Sequence, residues 1–308
     1  GMGTTYTGGA LTSFLYASNA ITIGRSITLA SSHQDFPGTT HNYTIGGDTA
    51  HVSNFTGTIT TTNGQGTKAA SKLTVTAAAG GRVNIANIVR GSGTTGNVDD
   101  VVKTGTGIVA ITGSSNNWQG NTLVQAGTFL VNGTILTNPS LKNAQVSSGA
   151  TLGGSGTLTR DVSMAAGAIL SPGDMNASGI SLGGKLTVGD GGAGLALTPT
   201  TVLKFDLGTA ASTTDDEVSV KGNLTLAGQL NVTDLGGFGN GDYKLFDWTG
   251  ILNYTPGDVS FANLPSGFTY VIDTTTWANS VYLVVTPEPG RALLLVVGLA
   301  ALLMRRRR

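Results

Sequence analysis

Cysteine is absent from the 308 residues, which excludes a disulfide framework, a thiol nucleophile and any cysteine-ligated metal. Charge is sparse at 11% and aromatics make up 6%. The three histidines, His33, His41 and His51, are spaced to fit neither a zinc-binding helix nor a compact ligand pair. Amphipathic helical windows are missing from Thr4 to Val285, because glycine and β-branched residues interrupt each one. Long apolar runs are also missing until the last two dozen residues. The formal net charge of zero hides an asymmetry. Without Arg291, the four terminal arginines and Glu288, 12 basic residues stand against 16 acidic ones, a balance of about −4. Such a body suits neither nucleic acid nor an anionic membrane surface.

What is present is glycine, 47 residues of it, together with threonine, serine and asparagine between short aliphatic runs. Lys72-Leu73-Thr74-Val75-Thr76, Ile108-Val109-Ala110-Ile111-Thr112 and Leu224-Thr225-Leu226 each alternate an apolar residue with Thr or another small one, as half-buried strands do. The runs also repeat. Gly107-Ile108-Val109, Gly127-Thr128-Phe129-Leu130-Val131, Gly149-Ala150-Thr151-Leu152 and Gly167-Ala168-Ile169-Leu170 each put a glycine turn before an aliphatic pair. Their glycines recur at intervals of 20, 22 and 18. A period near twenty with three short strands per period predicts a solenoid, the right-handed parallel β-helix. Polar ladders of Thr, Asn and Ser are then expected outside.

From Val102-Lys103-Thr104-Gly105-Thr106-Gly107, through Ile111-Thr112-Gly113 and Asn117-Trp118-Gln119-Gly120, to Val124-Gln125-Ala126-Gly127-Thr128-Phe129-Leu130-Val131, the chain resembles the autotransporter-associated β-strand repeat. Phe129 stands where that family usually has Leu. Ala150 to Leu158 and Ala168 to Asp174 look like following rungs, and the likeness is weaker over Ala20 to Gly91. The resemblance implies a β-helix. It does not carry the autotransporter secretion route, for which a membrane β-barrel of several hundred residues would be needed.

From about Lys185 the strands lengthen and aromatics concentrate, with Trp248 and Trp277 among them. This section is expected to close the open end of the solenoid. The predicted division is 1–101 as solenoid rungs with a truncated start, 102–180 as the repeat rungs, 181–286 as a β-rich cap, and 287–308 as a tail.

The tail carries the most specific pattern. Pro287-Glu288-Pro289 precedes an uncharged apolar run, with no turn residue except Gly298, from Ala292 through Leu295 and Leu299 to Met304, then Arg305, Arg306, Arg307 and Arg308. As a helix the run reaches about 20 Å, a marginal span for a hydrocarbon core of about 30 Å. Arginines after it stay on the cytoplasmic side, so the body faces outward. Pro287 and Pro289 keep the preceding segment extended. This tail resembles the PEP-CTERM sorting signal of Gram-negative bacteria that make extracellular polysaccharide. The resemblance implies a sorting motif at Pro287, Glu288 and Pro289, a short transmembrane helix and a basic stop. It also implies an exosortase as the processing partner. The protein would be anchored in the inner membrane before processing and then pass to the cell surface or extracellular matrix. An export signal is required at the front, and Gly1-Met2-Gly3-Thr4-Thr5 has no basic start, which suggests a truncated beginning.

Residues that could carry chemistry are few. Asp215-Asp216-Glu217 is the densest acidic cluster, better read as a loop before a strand than as a Ca²⁺ site. Within 102–174 the acidic residues are Asp161 and Asp174, too far apart in sequence to read as a paired acid and base, with Lys103, Lys142 and Arg160 scattered. Neither a catalytic pair, a metal site nor a cofactor is expected. The reading is a non-enzymatic, exported β-helical surface protein whose body serves as stalk or adhesive. Its alternatives are a glycan-binding adhesin, with Trp118 and exposed Tyr or Asn ladders meeting exopolysaccharide or another surface glycan, and a polysaccharide lyase or hydrolase.

Overall fold

A computed structural model describes residues 2–7, 10–29, 40–61, 72–91, 100–136, 143–176, 178, 182–210 and 212–288. Side chains of residues 2–7, 10–11 and 40–41 are not described. All regular structure among the described residues is β-strand, arranged in three long sheets. The chain visits the three sheets in turn. Thr122–Val124 lies in the first, Thr128–Val131 in the second and Thr134–Ile135 in the third; the next turn repeats the order with Ala144–Val146, Thr151–Gly154 and Thr157–Leu158. Each strand pairs in parallel with its counterpart one turn later. Stacked parallel strands of this kind match the expected β-helix.

The register shows why these residues stack. On the second sheet one inward column runs Ser53, Val83, Val109, Phe129, Leu152, Leu170, Leu203 and Leu230, each paired with the next and all buried. On the third sheet Ile135, Leu158, Val188, Val220 and Trp248 form another. Val101, Ala144, Val162, Leu195 and Leu224 belong to one on the first. Neighbouring rungs stand about 4.8 Å apart, so each aliphatic side chain packs on the ones before and after it. A large side chain buried this way contributes about 1.5–3 kcal/mol, and no single turn encloses its own.

The glycine period needs a correction in detail. Gly107 and Gly127 directly precede the paired residues Ile108 and Thr128, whereas Gly149 and Gly167 stand two before Thr151 and Ile169. The aliphatic columns, not the glycines, set the register, because a slipped strand would turn its apolar set outward.

Among the described strands, pairing is antiparallel at the two extremities, and an isolated antiparallel bridge joins Gly154 and Gly173 between them. Met2–Thr7 pairs antiparallel with Ala10–Ala17 at one end. At the other, Ser280–Pro287 lies between Gly241–Trp248 and Phe268–Asp273, antiparallel to both. Between these ends all three sheets cross residue 180 through paired strands.

Candidate functional site

Lys103, Arg160 and Asn116 find hydrogen-bond partners inside the stack, whereas among the described residues the Thr122 hydroxyl, the Trp118 indole N–H and Arg160 Nε do not. Lys103 occupies an inward position paired with Val75 and Val124 and is 1% exposed. Its ammonium donates to the carbonyls of Thr104 and Gly105, each at 2.7 Å, and of Ala126 at 2.8 Å. Burial lowers its pKa to about 8. Trp118 is fully buried, with Arg160 beneath it. Arg160 donates to the carbonyls of Trp118 and Gly120. This corrects one expectation: a side chain enclosed in the core cannot stack on a sugar. Asn116, also fully buried, accepts from the Ile88 amide and donates to the Gly113 and Thr134 carbonyls, joining three rungs.

The acidic residues singled out in the sequence go to separate places, and Glu217 meets another carboxylate, Asp247, across two shared lysines. Asp161 accepts from the Ala193 and Gly194 amides, and Asp174 pairs with Arg82. Asp215 accepts from the Gly208 amide at 2.7 Å. Asp216 points inward, fully buried, where its Oδ2 accepts from the Asp206 amide at 2.9 Å and its Oδ1 has no hydrogen bond among the described residues. Burial pushes its pKa up to about 8, against the Asp206 N–H and with the neighbouring Asp206 charge. Glu217 faces outward between Lys185 and Lys244, which also bind Asp247. Burial works against ionisation of Asp247, yet the Ser219 hydroxyl and both lysines hold its carboxyl well below the usual range. The three consecutive acids thus serve three environments, and no described group of three His, Asp or Glu side chains is placed to hold a metal. His51 is exposed at a bend, His33 lies outside the described residues, and His41 is described only as backbone of the strand Thr40–Gly47.

Two surfaces remain. One is a groove of about 590 Å³ on the outside of the second sheet, floored by Thr128, Thr151 and Ser171 and flanked by Met175, Ser178 and Lys204. Arg82 holds its flank in place by donating to the Met175 carbonyl and pairing with Asp174 at 3.3 Å. Beside it an outward amide ladder runs from Arg82 to Asn84, Asn54 and Thr22. The predicted Asn ladder exists here, and its groups largely bond one another.

The second surface is the C-terminal end. Phe238 stacks on Tyr243 with ring centres 4.8 Å apart and meets Phe268 edge-on at 5.8 Å. Tyr270 lies beside Phe238 and Phe261, and the Tyr270 hydroxyl donates to the Pro265 carbonyl. This cluster packs against the end of the aliphatic core. Pro287 ends the strand beside it, and both Pro287 and Glu288 are exposed. Pro289, Ala292, Leu295, Leu299, Met304 and Arg305 to Arg308 lie outside the described residues, as does the expected transmembrane helix. Among the described residues no helix is long and apolar enough to cross a membrane.

Over 185 residues the chain is 32% identical to the adhesin BmaC autotransporter of Brucella suis biovar 1 (strain 1330). The match takes in 58% of this chain and only 5% of that adhesin. No family model matches the chain. The likeness agrees with the autotransporter-associated repeat read from residues 102–174.

Proposed function

We propose that this chain is a non-enzymatic, exported surface protein with an adhesin-like β-helical body, delivered by its C-terminal tail. The observation that carries the reading is the 32% identity to an autotransporter adhesin, found in a chain that stacks as a solenoid. On this reading residues 1–101 and 102–180 are rungs, 181–286 close the stack, and 287–308 are the sorting signal. An exosortase removes the tail near Pro287–Pro289 after the helix from Ala292 to Met304 has held the chain in the inner membrane. The body then stands at the cell surface or in the extracellular matrix.

The pattern supporting the sorting step is Pro287-Glu288-Pro289, the apolar run and the four arginines in order. Intact-mass measurement of the mature protein tests it. Loss of residues 292–308 is expected, and a mature chain retaining them overturns the sorting step.

A glycan-binding role for the body is favoured by the hydroxyl-floored groove and by Lys204, which has no ion pair among the described residues. A glycan array separates adhesin from inert stalk: binding that Lys204→Ala abolishes supports the groove, and a blank array leaves the stalk.

A further inference from the structure

The segment leading into the proposed sorting motif is not a free linker. Ser280–Pro287 is an interior strand of the cap sheet, with Phe268–Asp273 along its outer side. Their pairing runs Asp273 with Tyr282, Val271 with Val284, Thr269 with Thr286 and Phe268 with Pro287. One residue further, the Glu288 amide donates to the Gly267 carbonyl at 3.1 Å. The ladder therefore continues to the second residue of the motif. Narrow and wide pairs alternate in an antiparallel ladder, so the hydrogen bond at Glu288 puts Pro287 opposite Phe268 in a non-hydrogen-bonded pair. The missing proline N–H leaves no gap there, which is where a strand tolerates proline. Across the next pair the Thr269 and Thr286 hydroxyls meet at 2.6 Å. Beneath it, Phe268 and Tyr270 pack into the aromatic cluster around Phe238.

We propose that the edge strand Phe268–Asp273 is a built-in occupant of the processing segment and must peel away before a protease can engage Pro287 and Glu288. This rests on the sorting reading above. An enzyme that binds its substrate as an extended strand needs the same backbone groups that Gly267 and Thr269 now hold. Edge strands are the cheapest part of a sheet to release, since one side is unpaired and the cost is confined to a few hydrogen bonds and the aromatic contacts. Tail removal is thus tied to the state of the cap: slow on the closed sheet, fast on a chain whose last hairpin has not yet zipped.

The absence of native cysteine makes the test clean. Thr269→Cys with Thr286→Cys joins the facing pair, whose Cα separation of about 5.5 Å suits a disulfide. In the full chain, expressed beside an exosortase and followed by mass, tail loss is expected to slow at least tenfold when the pair is oxidised and to recover in reductant. Thr269→Pro, which removes an edge hydrogen bond, is expected to speed it. Equal rates in oxidised and reduced protein overturn the proposal. A wild-type chain that never loses its tail overturns the sorting reading instead. The proposal then stands or falls on amide exchange, where the Glu288 N–H should exchange at least about a hundredfold more slowly than in a free peptide of residues 280–291. Exchange at the peptide rate overturns it.

Discussion

The Arg160 guanidinium lies 5.1 Å from the centre of the Trp118 ring and donates to the Trp118 carbonyl at 2.6 Å, joining residues 42 apart inside the stack. The ring and the cation bury one another, and the backbone carbonyl supplies the hydrogen bond a buried charge requires.

Removing the ring leaves a cavity under a buried cation. Trp118→Ala is expected to cost about 3–5 kcal/mol in urea unfolding. The double variant with Arg160→Met should cost less than the sum of the two singles, because the two share contacts. A loss below about 1 kcal/mol for Trp118→Ala would show that the ring is not core.

Lys103 replaces an aliphatic residue in an inward column and caps three carbonyls, so Lys103→Met takes a donor from each, with the Thr104 carbonyl keeping the Thr76 hydroxyl. A loss of about 2–4 kcal/mol is expected at pH 7. Its folded pKa of about 8 lies below the ordinary 10.5, so the unfolded chain binds more protons between those values. Wild-type stability should therefore gain a contribution as pH rises from about 8 toward 10.5, and this rise should be missing in Lys103→Met. Parallel pH profiles for the two proteins would refute the assignment.

Asp216 has the opposite slope. Its carboxyl is raised from 3.8 to about 8, so the folded state holds the extra proton and its contribution is lost as pH climbs through that range. Asp216→Asn should flatten the decline and stabilise the protein at pH 9 by an amount on the order of several kcal/mol. Thermal unfolding from pH 4 to 9 checks this, and an unchanged slope would count against it.

Gly133 sits at the corner between the second and third sheets. A Cβ there would lie 1.9 Å from the Gly113 carbonyl oxygen of the rung below, and one on Gly156 would meet the Gly133 oxygen at 2.0 Å. Gly133→Ala must therefore open the rung spacing. The expected cost is about 3 kcal/mol or failure to fold, judged by far-UV circular dichroism and urea titration. An alanine variant as stable as wild type would mean that the corner is loosely stacked.

Much of the fold was legible because a solenoid is a local pattern repeated. The apolar run Ile108-Val109-Ala110-Ile111 and the recurrence at Phe129, Leu152 and Leu170 report a strand and its stacking partners together. Less legible were the inward polar residues. Lys103 and Arg160 look like surface charges in sequence, since nothing local shows that three carbonyls or an indole ring wait at the other end. Trp118 was misplaced for the same reason: a loop position next to glycine and asparagine resembles an exposed platform. Asp215, Asp216 and Glu217 read as one cluster, yet Asp215 lies at a bend, Asp216 turns into the core and Glu217 starts the strand that follows.

By itself the sequence determined the three-strand period, the aliphatic columns, the absence of cysteine chemistry and the order of parts in the tail. Each of these is a matter of residue type at a spacing, and spacing survives without coordinates. Only the tertiary structure decided which charges are enclosed, that Glu217 shares two lysines with Asp247, and that Pro287 and Glu288 lie zipped against Phe268 and Gly267. Those outcomes depend on which distant rung or hairpin comes to lie alongside, a long-range pairing that local composition does not encode.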